Sequence, residues 1–570
     1  MRIAKQFIIT SVVLATLLAA CSAAVGRETQ AARDSGDPPA AKKRVVAAWV
    51  IPDVGSVSAL PVGSEGKEIA SFVHAGFGMY DDQQVLHPQL AEAVPTLENG
   101  LWRLFPDGRM ETIWKLKPNA RWHDGVQVAT MDLTFGAEIA QDKDLGMRSS
   151  LAPWNDVESI EATDSLSVTI RWKRPHIEAD VWFASSDQLL PKHLLEQAYV
   201  EDRGRFATHS YWTDGFIGAG PFKLKEYVRG SHILLERFDD YVLGRPRLDE
   251  VEVRFIGDAS AMMAQVLAGE VDTNIDASMA PDQAAQLRER WRDGRVVTSQ
   301  FTTGNVAIFP QMLDPALPIV LNAQFRRALL HAIDRQEMVD TIMLGGGGIS
   351  HSIVSQAMPE HDSVQDATVR YEYDPRKAVQ MLEGIGLRKG ADGLYLDDNG
   401  GRLTFDIRAL ESDPQERVRA TLVVADYWRR LGLDVIPFMV PPHQASDRQY
   451  VSEFPTFFLS ACTSTYDRVV NCFHSSQART AQTRFNGPNR SRYMNRELDA
   501  LLDRFITTVP LRERVQPLRE AIRIETEQAV WMGLFRGAYN TLMSNRLQNR
   551  QLDTYRSDAS FAHLWDVTRS

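Results

Sequence analysis

His123 and Asp124 are the adjacent side chains best suited to proton transfer, because an imidazole beside a carboxylate can act as an acid–base unit. They stand in the segment RWHDG, residues 121–125, where Asp-Gly favours a turn. A hydrolase also needs a nucleophile with its base, or two carboxylates at a defined separation. The sequence has no Gly-x-Ser-x-Gly and no His-Glu-x-x-His motif. We therefore expect a turn, no catalytic residues and no enzyme activity, with a secreted hydrolase as the alternative.

Cys21 is the residue whose position predicts a covalent modification. It follows an apolar stretch at residues 7–20, which Arg2 and Lys5 precede. As a helix, this stretch would rise about 21 Å, which is short of a ~30 Å hydrocarbon core. It therefore resembles a secretory signal peptide, and Leu-Ala-Ala-Cys at its end resembles a bacterial lipobox, in which the cysteine is acylated. We expect residues 1–20 to be removed and Cys21 to carry lipid; an ordinary signal peptide with an incidental cysteine is the alternative.

Cys462 and Cys472 are the two remaining cysteines of the three in the chain. An exported, oxidising setting permits them to pair, and the short loop that they would close is worth ~2–3 kcal/mol in the chain-entropy model. Two buried thiols are the alternative. With His474 they lack the CxxC or HxxxH spacing of zinc sites, so no metal is expected. The segment GAGP at 218–221 lacks the GxGxxG spacing of dinucleotide loops, so no cofactor is expected either.

Composition points to a large globular protein of several domains. The chain has 570 residues, of which 44% are hydrophobic and 24% are charged, so we expect two or three domains. No apolar run of eighteen residues follows Cys21, and the mature chain is not expected to cross a membrane. Removal of the signal peptide deletes two positive charges and takes the formal net charge from −11 to −13. A nucleic-acid partner would favour a basic face and is not expected.

Strands and helices alternate along the rest of the chain and define an α/β protein. The small and polar residues of 22–43 predict a flexible tether, and order begins with a strand at 44–51. Asp374-Pro375 predicts the start of a helix. The apolar run at 454–460 predicts a strand, followed by a polar loop at 462–483.

Eight short motifs carry a resemblance to a known family. Together and in this order, they resemble the bacterial extracellular solute-binding proteins of family 5, the dipeptide-, oligopeptide- and nickel-binding components of ABC importers. The resemblance covers nearly everything from residue 44 onwards. The motifs are Trp102 with PDG at 106–108, RWHDG with Thr130 and Asp132, GAGPF at 218–222, FDDY at 238–241, LAGEVD at 267–272, FRRALLHAIDR at 325–335, YDPRKA at 373–378 and YMNRELD at 493–499.

The resemblance implies a two-lobe periplasmic-binding-protein fold, of the α/β class, with an extra inserted domain. The lobes would be hinged by two chain crossings, near 301–308 and 528–536, and would close around a ligand. The expected parts are a signal peptide at 1–20, a lipidated Cys and tether at 21–43, lobe one at 44–77 with 205–303 and 531–570, an inserted domain at 78–204 and lobe two at 304–530.

The resemblance also implies where the ligand lies. Three places are expected to contact it: the loop after the first strand, the loop after a lobe-two strand, and the second crossing. The residues expected there are Val62, Ser64, Ser464, Thr465, Tyr466, Asp467, Phe535 and Arg536.

Two features of the expected site bear on the chemistry of the ligand. Peptide binders of this family commonly hold the peptide α-amino group with an Asp in a Trp-x-x-Asp-Tyr setting. Here Tyr466 matches the Tyr, but Thr465 stands at the Asp position and Cys462 at the Trp position. A buried ammonium without a carboxylate is costly, so a neutral or sugar-like ligand gains weight over a free peptide N-terminus. Arg536 would either hold an anionic group or form a salt bridge at the hinge.

The expected function is that of a lipid-anchored receptor outside the cytoplasm, in the periplasm or on the outer face of the cell membrane. Its expected partners are a small organic, peptide-like ligand, the permease of an ABC importer and, through lipid, the membrane; we expect a monomer. A ligand sensor on the same fold, without a transporter, is the alternative.

Overall fold

The computed structural model describes most of the chain beyond residue 41. The described residues are 42–58, 60, 66–81, 85–142, 144–145, 156–183, 189–276, 279–299, 304–397, 399–551, 559 and 561–568. The predicted signal peptide, Cys21 and the tether lie outside them, as do Val62 and Ser64. The predictions for these residues therefore stay predictions.

The first sheet forms the centre of one lobe. In order across the sheet, its strands are Thr273–Asn274, Arg44–Val50, Glu250–Ile256, His232–Arg237 and Phe222–Val228. Arg44–Val50 runs parallel to Glu250–Ile256 along its whole length. Val45, Ala47 and Trp49 pack into one core and Ala48 packs into another, so this strand is covered on both faces. The strand predicted at 44–51 is confirmed.

The second sheet forms the centre of the other lobe. In order, its strands are Gly348–Ile349, Met532–Arg536, Asn305–Pro310, Phe457–Cys462, Thr404–Leu410 and Asp434–Val440. Alternate residues of Phe457–Cys462 face opposite ways: Phe457 and Leu459 pack into the core on one face, and Phe458 and Cys462 into the core on the other. Helices therefore cover this sheet on both sides.

A third, antiparallel sheet falls within the expected inserted domain. Its strands, in order, are Trp102–Leu104, Met110–Lys115, Ser167–Trp172 and Val157–Ala162. Three short ribbons complete the β-structure: Gly78–Tyr80 with Leu86–Pro88, Gly294–Ser299 with Tyr539–Ser544, and Leu547–Gln548 with Asp566–Val567. The α-helices of the described residues are Lys67–Val73, Thr130–Gln141, Lys192–Glu201, Ala259–Leu267, Pro281–Arg290, Ala323–His331, Arg335–Ile342, His361–Val364, Pro375–Gly384, Gln415–Arg430, Pro442–Ala445, Arg448–Ser452, Tyr466–Asn471, Arg496–Thr507 and Leu511–Glu527.

Two chain crossings connect the first and second sheets. The first follows Gly294–Ser299 and ends at Asn305, where a second-sheet strand begins. The second lies between Arg536 and Tyr539. This differs from the prediction, which places the second crossing at 528–536 and assigns residues from 531 on to lobe one. Met532–Arg536 instead pairs with Asn305–Pro310 inside the second sheet, because its apolar side chains pack into the core of that lobe.

The inserted domain also contacts the second lobe. Ile177 donates a backbone hydrogen bond to the carbonyl oxygen of Ile506 (3.0 Å), and its side chain packs into the core of the second lobe. Val509 makes the reciprocal contact and packs into the core of the inserted domain. The inserted domain and the second lobe therefore each bury an apolar residue of the other. This contact adds to their connection along the chain through the first lobe.

Candidate functional site

The candidate site lies where the parallel strands of the second sheet end. Thr404–Leu410, Asp434–Val440, Phe457–Cys462 and Met532–Arg536 all run in the same direction and end at this edge. The antiparallel strand between the last two begins there, at Asn305. In α/β proteins, ligands bind in the crevice outside the carboxyl ends of the strands. We call this region, with the loops that follow the strands, the carboxyl edge.

A disulfide holds the loop that follows the central strand. Cys462 ends the strand, Cys472 caps the C-terminal end of the helix Tyr466–Asn471, and their Sγ atoms lie 2.06 Å apart in a disulfide bond. The helix falls inside the segment that the sequence predicts to be a polar loop. The turn at 463–465 is therefore anchored on both sides, by the sheet and by the cross-linked helix.

Ser464 belongs to a hydrogen-bonded group of neutral side chains. Its Oγ donates to the carbonyl oxygen of Ile353 (2.6 Å) and accepts from Asn305 Nδ2 (2.5 Å). Ser350 Oγ donates to Asn305 Oδ1 (3.0 Å), and both of these residues are buried. The hydrogen bonds join loops of three different strands, so they fix the shape of the carboxyl edge without placing a charge there.

Arg536 adds a cation to this neutral group. Its Nε donates to Asn305 Oδ1 (3.2 Å), and its Nη2 donates to the carbonyl oxygen of Val354 (2.9 Å). The side chain is half-buried, and burial lowers the pKa of the guanidinium. Among the described residues, no carboxylate pairs with it. The structure therefore gives no hinge salt bridge to Arg536 within this part of the chain.

Thr465 and Tyr466 have structural partners. Thr465 is the N-cap of its helix, and its Oγ1 accepts from the backbone nitrogen of Arg468 (3.3 Å). The hydroxyl of Tyr466 donates to Glu360 Oε2 (2.9 Å), and Glu360 in turn accepts from Arg514 Nε (2.6 Å). Burial and the negative charge of Glu360 raise the pKa of Tyr466. This phenol therefore stays protonated and donates its hydrogen bond to an internal ion pair.

Asp467 occupies the first turn of the same helix. Asn471 donates a side-chain hydrogen bond to it, and Arg468 lies 3.8 Å from its other carboxylate oxygen. The Asp467 side chain is 46% exposed, so both water and these neighbours satisfy it. An acid at a helix N-terminus is also favourable for the helix itself. These contacts account for Asp467 without a ligand.

Phe535 does not belong to the carboxyl edge. Its side chain is fully buried and packs into the core of the second lobe, against the helices on that face. The prediction of Phe535 as a ligand contact is corrected accordingly. Of the predicted contacts, the structure brings Ser464 and Arg536 together through Asn305.

The sequence matches a known protein family over most of its length. The model of the bacterial extracellular solute-binding proteins, family 5 (middle region), matches residues 86–478. The chain belongs to this family. It is therefore an extracellular solute-binding protein of the kind that serves ABC transporters, and family membership confirms that it is a binding protein and not an enzyme.

Similar proteins support this assignment at the level of sequence and fold. The chain is 26% identical to the oligopeptide-binding protein AppA of Bacillus subtilis over 505 residues, which cover 86% of this chain and 85% of AppA. The structure of AppA with a nonapeptide has a TM-score of 0.69, at 22% identity, and covers 93% of this chain and 100% of AppA. The structure of NikZ from Campylobacter jejuni with Ni(L-His) has a TM-score of 0.72, at 21% identity, and covers 92% of this chain and 99% of NikZ. These neighbours confirm the two-lobe α/β fold.

Three residues around the candidate site carry no local signal in the sequence. Glu360 and Arg514 lie far apart along the chain, and only the fold pairs them. His351 is half-buried, and its Nδ1 is enclosed without a hydrogen-bond partner among the described residues. Burial, together with the charges of Arg335, Arg370 and Arg536, lowers the pKa of His351 to about 4, so the imidazole is neutral at neutral pH.

The described residues contain neither a candidate metal site nor a candidate membrane span. No group of three or more His, Cys, Asp or Glu side chains in that part of the chain is placed to hold a metal ion. No helix there has both the length and the apolar character needed to cross a membrane.

Proposed function

We propose that this family 5 protein is the lipid-anchored receptor of an ABC importer. It captures a peptide-like or other small organic ligand between its two lobes and delivers that ligand to a membrane permease. Cys21 carries the lipid, and the tether at 21–43 lets the folded body reach the permease.

The carboxyl edge of the second sheet is the observation that carries the proposal. It presents a preorganised group of hydrogen-bonding side chains, Ser464, Asn305 and Arg536, beside the second crossing. Such a site suits reversible capture, because the groups are already held in place and lose little freedom when a ligand arrives. In this proposal Val62 and Ser64 contact the ligand from the first lobe.

The relatives indicate the class of cargo. AppA of Bacillus subtilis is named an oligopeptide-binding protein, and its structure holds a nonapeptide. NikZ of Campylobacter jejuni was solved with Ni(L-His), and NikA of Brucella suis with Fe(III)-EDTA. For this chain we propose a peptide-like or other small organic molecule, which the protein binds and releases without chemical change.

Native mass spectrometry of the protein purified from its own cells tests this function. We expect a bound small molecule, lost on mild denaturation and identifiable by its mass. The same molecule at ~100 times its Kd should raise the free energy of unfolding of the emptied protein by about 2.7 kcal/mol. Protein that carries no ligand, and that no peptide, sugar or metal chelate stabilises, would contradict the proposal.

A further inference from the structure

Arg536 differs from three other arginines that the second lobe encloses, namely Arg514, Arg326 and Arg335. Arg514 pairs with the carboxylate of Glu360 at 2.6 Å. Arg326 and Arg335 are buried and donate to backbone carbonyl groups, among them those of Val320 and Gly533. These three guanidinium groups thus have partners that account for their position.

The guanidinium of Arg536 has an unused donor group. Its Nε and Nη2 have acceptors, Asn305 and Val354, whereas Nη1 donates to no described residue. Nη1 is not one of the buried side-chain atoms that lack a hydrogen-bond partner among the described residues. Because it has no described acceptor, this atom is accessible to solvent at the carboxyl edge. The two existing hydrogen bonds hold the guanidinium plane in one orientation and leave Nη1 as a charged donor without a described acceptor.

Arg536 is a half-buried cation whose hydrogen-bond partners are all neutral, so none of them offsets the cost of removing its charge from water. Moving a charge out of water costs free energy, which an opposite charge nearby recovers. The side chains around Arg536 are those of Asn305, Ser350, Ser464 and His351, and none of them carries a negative charge. The edge therefore gains most from a ligand that brings the negative charge itself.

We propose that Arg536 binds a carboxylate group of the ligand, and that this contact selects acidic ligands. The proposal rests on the function proposed above and names the chemical class of its cargo. The planar guanidinium matches the planar carboxylate, and a charge-assisted bond through Nη1 is about twice as strong as a neutral one. Ser464 and Asn305 hold Arg536 in place and are positioning residues.

The same edge is poorly suited to an ammonium group. Glu360 is fully enclosed; Arg514 balances its charge, and the Tyr466 hydroxyl donates a hydrogen bond to it. Asp467 is held by Asn471 and Arg468 on its own helix. Both carboxylates thus have partners, so neither is left unpaired to bind the ammonium group of a ligand.

Competition between matched acids and amides tests the proposal. The probes are a pool of N-acetylated pentapeptides with a free C-terminal carboxylate and the same pool with a C-terminal amide, mixed in equal amounts. Protein-bound peptides are separated by gel filtration and counted by mass spectrometry. We expect the wild type to recover the acids at least tenfold over the amides, and Arg536→Gln to bring this ratio close to one.

Two further variants keep the test interpretable. Arg109→Gln removes one positive charge from an exposed ion pair with Asp107 and should leave the tenfold ratio unchanged. Arg536→Lys keeps the charge but loses the planar fork, and we expect an intermediate ratio. If Arg536→Gln fails to fold, Arg536→Lys provides the test in its place. Circular dichroism shows whether each variant is folded.

The outcomes separate this proposal from the proposed function. Equal recovery of acids and amides by the wild type, or a ratio that survives Arg536→Gln, overturns the carboxylate contact while leaving a working receptor. A ligand without any carboxylate, released from protein purified from its own cells, overturns it as well. Failure of every probe, together with no ligand in the purified protein, contradicts the receptor function itself.

Discussion

The ion pair of Glu360 and Arg514 should be essential to the stability of the second lobe. The Glu360 side chain is 0% exposed and that of Arg514 is 13% exposed. The Glu360 carboxylate accepts from Arg514 Nε at 2.6 Å and from the Tyr466 hydroxyl at 2.9 Å. Glu360→Gln leaves the Arg514 cation buried without its counter-charge, and breaking a buried pair in this way costs about 3–5 kcal/mol.

A double-mutant cycle measures the effect. Urea unfolding, followed by the fluorescence of the buried tryptophans, should show the loss for Glu360→Gln and a similar loss for Arg514→Met. The double variant leaves no uncompensated charge, so it should be more stable than the sum of the two losses predicts, by about 1–3 kcal/mol. Glu161→Gln, in an exposed pair with Arg171, is the control and should cost about 0–1 kcal/mol.

Two results would refute this reasoning. A loss below about 1 kcal/mol for Glu360→Gln would mean that the buried pair is not desolvated to the extent that its 0% exposure indicates. Strict additivity in the cycle would mean that the two charges do not act on each other. Either result would also remove the basis for treating Tyr466 as a structural side chain.

Three further predictions concern Cys21, the disulfide and one buried histidine. Cys21→Ser should abolish membrane attachment; equal membrane retention of the variant would rule out the lipid anchor. A non-reduced digest should yield the peptides of Cys462 and Cys472 joined, and free thiols at both would contradict the bond. Burial lowers the pKa of His74 from 6.5 to about 4, so the unfolded chain binds the proton first as the pH falls. The contribution of His74 to stability should be fully present above pH 6.5 and fall by about 3 kcal/mol towards pH 4, as urea titrations at each pH measure. His74→Gln should reduce the pH dependence by this amount and the exposed His443→Gln should not; an unchanged slope in both would refute the assignment.

Local patterns were sufficient to predict some of the strands and helix starts. Asp374 caps the helix Pro375–Gly384, as Asp-Pro predicts, by accepting from the backbone nitrogen of Lys377. The strand expected at 44–51 is Arg44–Val50. These features depend on neighbours in sequence, and the order of the eight family 5 motifs was enough to predict the fold.

The differences arise where distant parts of the chain decide the outcome. Phe535 was expected at the ligand, but the pairing of its strand with Asn305–Pro310 turns the side chain into the core. The helix Tyr466–Asn471 forms inside an apparent polar loop because Thr465 caps it and its buried valines pack on the second-lobe core. Of the expected contacts, Arg536 and Ser464 lie together only because Asn305, far away in sequence, bonds to both.

The pairing of the two crossing strands restricts how the lobes can move. Gly294–Ser299 and Tyr539–Ser544 are hydrogen-bonded along their whole length, so they act as one ribbon. From Arg536 to Tyr539 the chain can span at most about 11 Å. The end of the strand Met532–Arg536 therefore stays within this distance of the ribbon, and we expect the second lobe to move mainly by turning about it. Arg536 sits at this pivot, where a turn of the lobe displaces atoms least, so a ligand group held there keeps its contact while the distant walls of the cleft open and close.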